Sequence, residues 1–217
     1  VTSLDIRDSI AVLNLGDDEN RFSPTFLEEV NAHLDTVLAE GAHALVTTAT
    51  GKFFSNGLDL EWLGANADRM QWYVGQVQAL LARVLTFPLP TAAAVNGHAF
   101  GAGAMLAIAH DFRAMRADRG FFCFPEVDIR IPFPPGMAAL IQAKLTPRAQ
   151  VASMTTGRRF GGADAESTGL VDAAVAEDQL LEVALGYVRP LGSKDSGTLA
   201  AIKNTMFAGA VTALTTP

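Results

Sequence analysis

Thr91–Asp111, TAAAVNGHAFGAGAMLAIAHD, carries the reading on which the fold depends. Thr91 to Val95 are small or β-branched; Asn96-Gly97 follows, then Gly101-Ala102-Gly103, then an apolar run from Ala104 to Ala109 closed by His110-Asp111. That order predicts a buried strand, a tight turn and a helix. Glycines at 97, 101 and 103 remove the Cβ atoms that would keep a ligand off the backbone. A helix starting near Gly101 leaves its first amide N–H groups without intrahelical partners, and such a start attracts negative charge. The same glycines equally suit a βα turn that only packs closely.

A second stretch, Thr47–Leu60, TTATGKFFSNGLDL, repeats the pattern. Ala44–Thr48 has the continuous apolar, β-branched character of a buried strand. Phe53-Phe54-Ser55-Asn56-Gly57 breaks it before Leu58–Trp62 turns helical. Two strand-to-helix bends of this kind can aim one backbone N–H each at a single oxygen, which is the geometry of an oxyanion hole.

With 217 residues, 49% of them hydrophobic and 18% charged, the chain suffices for one sizeable core and reads as a single domain over 1–217. A net charge of −7 argues against general nucleic-acid binding, which needs a basic face, so an anionic ligand has to meet a local cluster of positive groups. Cys123 is the only cysteine; no intramolecular disulfide is expected, and a reducing, cytoplasmic location is favoured. No basic and apolar leader opens the sequence, and no apolar run approaches the about 18 residues that span a bilayer, so no membrane partner is expected. His33 and His43 have no ligand at a recognisable spacing. No metal site is expected.

Around the two bends the sequence reads as scaffold. Ser3–Leu15 has the alternation of a β-hairpin about Arg7-Asp8-Ser9. Ser23 and Pro24 start a helix, with Phe22 and Leu27 as a hydrophobic staple; Phe26, Leu27, Val30, Leu34, Val37 and Leu38 lie on its inner face, and Gly41 ends it. Asp68–Phe87 is a long helix with Tyr73, Val77, Leu80, Leu81 and Val84 inward. Phe112–Ala117 returns to strand, and Asp118-Arg119-Gly120 turns into a strand at Phe121–Phe124. Further helices are predicted over Met137–Lys144, Pro147–Thr156, Ala163–Gly169, Leu180–Val188 and Thr198–Ala210. Strands alternating with helices imply a largely parallel sheet covered by helices.

Pro125-Glu126 follows the Phe-rich segment and precedes Val127-Asp128-Ile129-Arg130-Ile131. A carboxylate delivered among Phe and Ile has its charged form disfavoured, which moves a glutamate toward the range where it takes and returns a proton. A surface turn glutamate after a proline fits the composition as well.

F-S-x-G-x-D-L over residues 54–60 and A-V-x-G-x-A-x-G-x-G over 94–103 resemble the crotonase superfamily, the enoyl-CoA hydratase and isomerase group, and the likeness runs from about Leu4 to the end of the chain. The resemblance implies an α/β crotonase-like spiral of ββα units (1–190) followed by a shortened C-terminal helical part (191–217), with the active site where the bends meet. It implies that the N–H groups of Leu58 and Ala102 form the oxyanion hole for an acyl-CoA thioester, with Ala102 in place of a usual glycine. Glu126 then becomes the catalytic acid/base. By the same resemblance Phe54, Asn56, Asp59 and Leu60 line the CoA side and Lys52 contacts a phosphate. Coenzyme A enters as part of the substrate; no separate cofactor is implied. A homotrimer or dimer of trimers is implied, less firmly for the short C-terminal part.

The departure from the pattern is Met105, which stands where hydratases of the group carry a second glutamate. Hydration needs a water held between two carboxylates, whereas moving a double bond needs one base. The run His110–Phe121 with Pro125–Ile129 also looks like the Δ3,Δ2-enoyl-CoA isomerase branch. Isomerisation of 3-enoyl-CoA to trans-2-enoyl-CoA in fatty acid oxidation is therefore the leading reading. The alternatives are another crotonase-type activity (hydratase, hydrolase or decarboxylase) and non-catalytic acyl-CoA binding. Met105 itself reads as a core residue that also walls the acyl pocket. A serine peptidase is disfavoured: Ser55 and His98 are present, but no G-x-S-x-G elbow is.

Overall fold

The computed structural model describes residues 1–216. It opens with an antiparallel hairpin, β1 (Ser3–Arg7) and β2 (Ile10–Asn14), in which Arg7 faces Ile10. Asp8 and Ser9 between them both have left-handed φ, 51° and 63°. A two-residue turn that matches the twist of its strands demands that conformation of both residues.

Helix α1 (Pro24–Ala39) starts as its residues predict. Ser23 accepts the Phe26 N–H and Pro24 occupies the first turn. Phe22 stacks on Phe26, ring centroids 5.4 Å apart, rather than serving only as a staple to Leu27. Leu38, expected on the inner face, is exposed, while Val37 before it is the last residue of the helix to be buried.

The next units explain the spiral. Strand β3 (Ala44–Thr48) is followed by β4 (Phe53–Ser55) and then α2 (Leu60–Ala65) and α3 (Met70–Leu85). Strand β5 (Thr91–Val95) is followed by β6 (His98–Phe100) and α4 (Ala102–Ala109). Strand β7 (Phe112–Arg116) is followed by β8 (Phe122–Cys123) and α5 (Glu126–Ile129). Each unit places its first strand in a large sheet and its second in a small one. The large sheet runs β1-β2-β3-β5-β7-β9, parallel except for the hairpin, and the small sheet β4-β6-β8 is wholly parallel.

The readings of strand, turn, helix over 91–111 and of a bare bend at 53–57 therefore each need a short strand added. The strand predicted over Phe121–Phe124 shrinks to Phe122–Cys123. The helix predicted from Asp68 begins at Met70, after a 3₁₀ turn at Ala67–Arg69.

The chain continues through α6 (Pro135–Lys144), α7 (Pro147–Met154), α8 (Gly162–Thr168), β9 (Ala173–Val175), α9 (Leu180–Val188), α10 (Ser196–Met206) and α11 (Ala208–Thr215). The single helix expected over Thr198–Ala210 is thus two, broken at Phe207. That ring is buried, with the Lys144 ammonium 5.2 Å from its centre. Helix α11 packs on α6 and α3.

Every residue of α4 and of β5 is buried. Ala93 and Val95 of β5 join the main core with α1, α3 and α4, while Ala92 and Ala94 face a second layer formed with Leu180, Ala184 and Val188 of α9. A strand covered on both faces reads as continuously apolar, and a helix apolar all round is a central one. Among the described residues no helix is long and apolar enough to cross a membrane.

Candidate active site

The two bends touch through their glycines. Gly57 has φ 79°, and a Cβ built on it would fall 2.6 Å from the Phe100 carbonyl oxygen and 3.0 Å from the Ala102 nitrogen. A Cβ on Gly103 would fall 2.3 Å from the Ser55 carbonyl oxygen. No side chain fits at either place, so backbone meets backbone where β4 ends and α4 begins.

Gly101 precedes α4 with φ 50° and ψ −122°, and no side chain caps the helix. Its first N–H groups, that of Ala102 foremost, therefore lack partners among the described residues. Leu58 is in the same condition. The peptides around it are tied: Gly57 N–H donates to Ser55 Oγ at 3.1 Å, and Asp59 N–H donates to Tyr73 Oη at 2.8 Å. The Leu58 N–H between them donates to no group among the described residues.

Behind the bend, Asn20 is buried with φ 49°, and its side-chain amide donates to the carbonyls of Phe54 (3.1 Å) and Phe53 (3.3 Å). Its own carbonyl accepts the Ser55 hydroxyl at 2.7 Å. Neither Asn20 nor the hydroxyl of Tyr73 was singled out from the sequence. Asn20 sits in a polar run, Asp17-Asp18-Glu19-Asn20, that reads as a loop, and only the asparagine's tolerance of left-handed φ hints at a structural task.

Glu126 opens α5 and is only 9% exposed. Its Oε1 lies 3.6 Å from the point a Cβ on Gly101 would occupy, so the carboxyl stands against the start of α4. Its Oε2 is buried and has no hydrogen-bond partner among the described residues. Burial pushes its pKa up from 4.5 to about 7, opposed in part by its own backbone N–H.

The apolar surroundings expected from Val127, Ile129 and Ile131 are not there, since all three are exposed. Of the short turn α5, Glu126 alone is buried. The aromatic packing comes from Phe124, edge-on to Phe122 at 5.8 Å and to Phe133 at 6.1 Å.

The remaining residues divide. Met105, in the first turn of α4, is buried in the main core. Phe54 is completely buried, so its side chain belongs to the core and is closed to a ligand, contrary to its expected place on the CoA side. Asp59 caps α2 by accepting the Trp62 N–H at 3.0 Å, and Leu60 is exposed. Asn56 donates to Glu19 Oε2 at 3.2 Å. Asp128 is turned toward Gly157, where a Cβ would fall 2.2 Å from its Oδ2.

Lys52 is exposed, 5.2 Å above the Phe53 ring, and the His98 N–H donates to its carbonyl. Burial first, and then Lys52, Arg159 and Arg119, lower the pKa of His98. A local group of cations thus exists on this acidic chain. No cluster of three or more His, Cys, Asp or Glu able to hold a metal occurs among the described residues.

The arrangement offers two unpaired amide donors at a backbone contact and one buried carboxyl poised to exchange a proton. It can polarise a carbonyl and move a proton beside it.

Comparison with known proteins bears on which carbonyl. Residues 5–216 match the family profile described as enoyl-CoA hydratase/isomerase. Peroxisomal enoyl-CoA delta isomerase 2 of Arabidopsis thaliana is 38% identical over 203 residues, spanning 88% of this chain and 83% of that protein. Carnitinyl-CoA dehydratase of Escherichia coli K12 is 34% identical over 161 residues, 74% of this chain and 61% of that protein. The apo structure of an enoyl-CoA isomerase from Mycobacterium tuberculosis superposes with a TM-score of 0.91 at 27% identity, covering 98% of this chain and 93% of that one.

Proposed function

The chain belongs to the enoyl-CoA hydratase/isomerase family, and from that premise we propose that it moves the double bond of a 3-enoyl-CoA thioester to the trans-2 position. The observation that carries this reading is the single buried carboxyl, Glu126, beside the α4 start whose Ala102 N–H is free.

In the proposed reaction the thioester oxygen accepts hydrogen bonds from Leu58 N–H and Ala102 N–H. Glu126 as carboxylate takes a proton from C2; the C2–H electron pair forms C1=C2 and the C1=O π pair moves onto the held oxygen, leaving C3=C4 in place as the second double bond of the dienolate. The protonated Glu126 then returns the proton to C4, which takes it with the C3=C4 pair as the C1=C2 pair becomes C2=C3 and the oxygen's pair restores C1=O. One group serves as base and acid, so it works best with a pKa near the working pH, and burial brings Glu126 there. Each oxyanion donor is worth about 3 kcal/mol of transition-state stabilisation. Lys52, with Arg119 and Arg159 nearby, is assigned to the phosphates of the CoA moiety.

Hydration of the product is the second reading, favoured by the likeness to carnitinyl-CoA dehydratase. It lacks a second carboxylate: Met105 offers a thioether, Asp59 is spent on a helix cap and Asp128 faces the Gly157 loop. We infer that hydration is slow relative to isomerisation. A trimeric assembly and a cytoplasmic location belong to the same reading; light scattering checks the first and cell fractionation the second.

The test is turnover of a 3-enoyl-CoA and a trans-2-enoyl-CoA side by side. Rapid formation of conjugated thioester from the first, with little loss of conjugation from the second, is the expected result. Efficient hydration with negligible isomerisation would sink the reading.

A further inference from the structure

We propose that Tyr73 is a positioning residue for the oxyanion hole: its hydroxyl, by holding the amide of Asp59, aims the neighbouring Leu58 N–H at the thioester oxygen. The inference rests on the site chemistry proposed above.

The bend presents the amides of Gly57, Leu58 and Asp59 in succession. The outer pair is anchored, Gly57 N–H by Ser55 Oγ and Asp59 N–H by Tyr73 Oη, and the middle one is free. Peptide planes are rigid and joined at Cα, so a free amide between two anchored ones has little room to swing. The anchors differ in kind. Ser55 belongs to the same strand-and-bend segment and travels with it. Tyr73 comes from α3, whose Val77, Leu80 and Leu81 are embedded in the core, and so references the far side of the bend to a separate element.

The choice of tyrosine points the same way. The chain uses 13 phenylalanines and only 2 tyrosines, and Phe22, Phe54 and Phe87 fill neighbouring core without a hydroxyl. Tyr73 is just as buried, its ring 5.1 Å from Trp62, yet it carries an oxygen, and that oxygen is on the Asp59 amide. Burial pushes the phenol up to about 12, so it stays neutral through the working range and the contact does not switch with pH. Oxyanion donors act over a narrow distance, about 2.7–3.1 Å, so a bend released by a fraction of an ångström loses much of its effect.

Tyr73→Phe keeps the ring and removes the anchor. On 3-enoyl-CoA its kcat is expected to fall at least about tenfold with KM within about twofold, because a donor that matters most in the transition state is misplaced. A second readout does not need turnover: a cinnamoyl-type CoA thioester held in an oxyanion hole has its carbonyl polarised and its absorption shifted to the red, and the shift is expected to shrink in the variant. A purely structural tyrosine lowers the melting temperature and leaves kcat and the red shift unchanged, which would overturn the assignment. Should Tyr73→Phe fail to fold, 3-fluorotyrosine at position 73 keeps the ring and the hydroxyl but makes its oxygen a poorer acceptor for the Asp59 N–H, and is expected to lower kcat and the red shift in part; both unchanged there overturns the proposal equally. If the unaltered chain shifts the bound thioester but turns over no 3-enoyl-CoA, the proposed reaction fails while the positioning stands. Binding without any shift in the unaltered chain removes the hole and the positioning together.

Discussion

Glu126 joins sequence to chemistry at a single side chain, and its protonation carries two consequences of opposite kind. For activity, the carboxylate is the reactive form, so kcat/KM on 3-enoyl-CoA is expected to rise as pH increases through about 7 and then level. Glu126→Gln keeps the shape and removes the base; kcat is expected to fall at least about a hundredfold. For stability the sign is reversed. The folded carboxyl titrates near 7 against an ordinary 4.5, so the folded state binds the proton more tightly, and the residue weighs against the fold increasingly as pH rises from 4.5 to about 7. Glu126→Gln is therefore expected to stabilise the chain at pH 8 by about 3 kcal/mol, with the gain fading as pH falls toward 4.5. Urea unfolding at pH 5 and pH 8 measures it. An equal gain at both values would mean that burial of the charge is not what perturbs this residue.

At the scale of an element, α4 ties the site to the core. Its start is uncapped and faces the bend at Leu58, while its end is gathered up by other groups. His110, fully buried, pairs through Nδ1 with the Leu106 carbonyl and through Nε2 with the Thr47 hydroxyl, each at 2.8 Å. A carbonyl can only accept, so Nδ1 carries the proton and neutral Nε2 accepts from Thr47. Arg113 Nη1 and Lys144 Nζ both donate to the His110 carbonyl at 2.9 Å, placing cations where the helix dipole is negative. Burial pushes the His110 pKa down to about 4. The unfolded chain then binds the proton first, and stability is lost as pH falls from about 6.5 to about 4. His110→Gln, which can still donate to one partner and accept from the other, is expected to give a shallower decline of melting temperature over that interval. An unchanged slope would assign the acid sensitivity to the carboxylates alone.

For the whole molecule, helix α10 is tied to the core through a buried lysine, while α11 packs on α6 and α3. Lys203 of α10 is nearly inaccessible; its ammonium donates to the Phe87 and Leu89 carbonyls at 3.0 and 2.9 Å and to Asp111 Oδ2 at 2.6 Å. The same Asp111 oxygen accepts from the Thr91 backbone and hydroxyl at the start of β5. Lys203→Met keeps the length and leaves Asp111 and two carbonyls short of a donor. It is expected to destabilise the chain by about 3 kcal/mol, the range for breaking a buried pair, read from urea unfolding; a loss under about 1 kcal/mol would mean that α10 is held by packing alone.

Local patterns were enough to read α1 with its Ser23 cap, a hairpin about Arg7-Asp8-Ser9, the buried β5 and a helix start near Gly101, because each is set by residues a few positions apart. Pro125-Glu126 was legible as a buried carboxyl only with the family pattern beside it, since Val127, Ile129 and Ile131, which looked like its surroundings, face outward. The short strands β4 and β6 were not legible, and β8 was legible only with wider bounds: two or three residues hold too little alternation to declare a strand, and what makes them strands is pairing with segments far along the chain. The break at Phe207 and the core position of Phe54 were decided in the same way, by what packs against them. The sequence by itself determined which backbone could bend, through glycines 57, 101 and 103. Only the tertiary structure decided that those bends meet, that Glu126 stands against Gly101, and that Tyr73 holds the amide next to Leu58, because contacts between distant segments depend on how the units stack and not on the residues beside them.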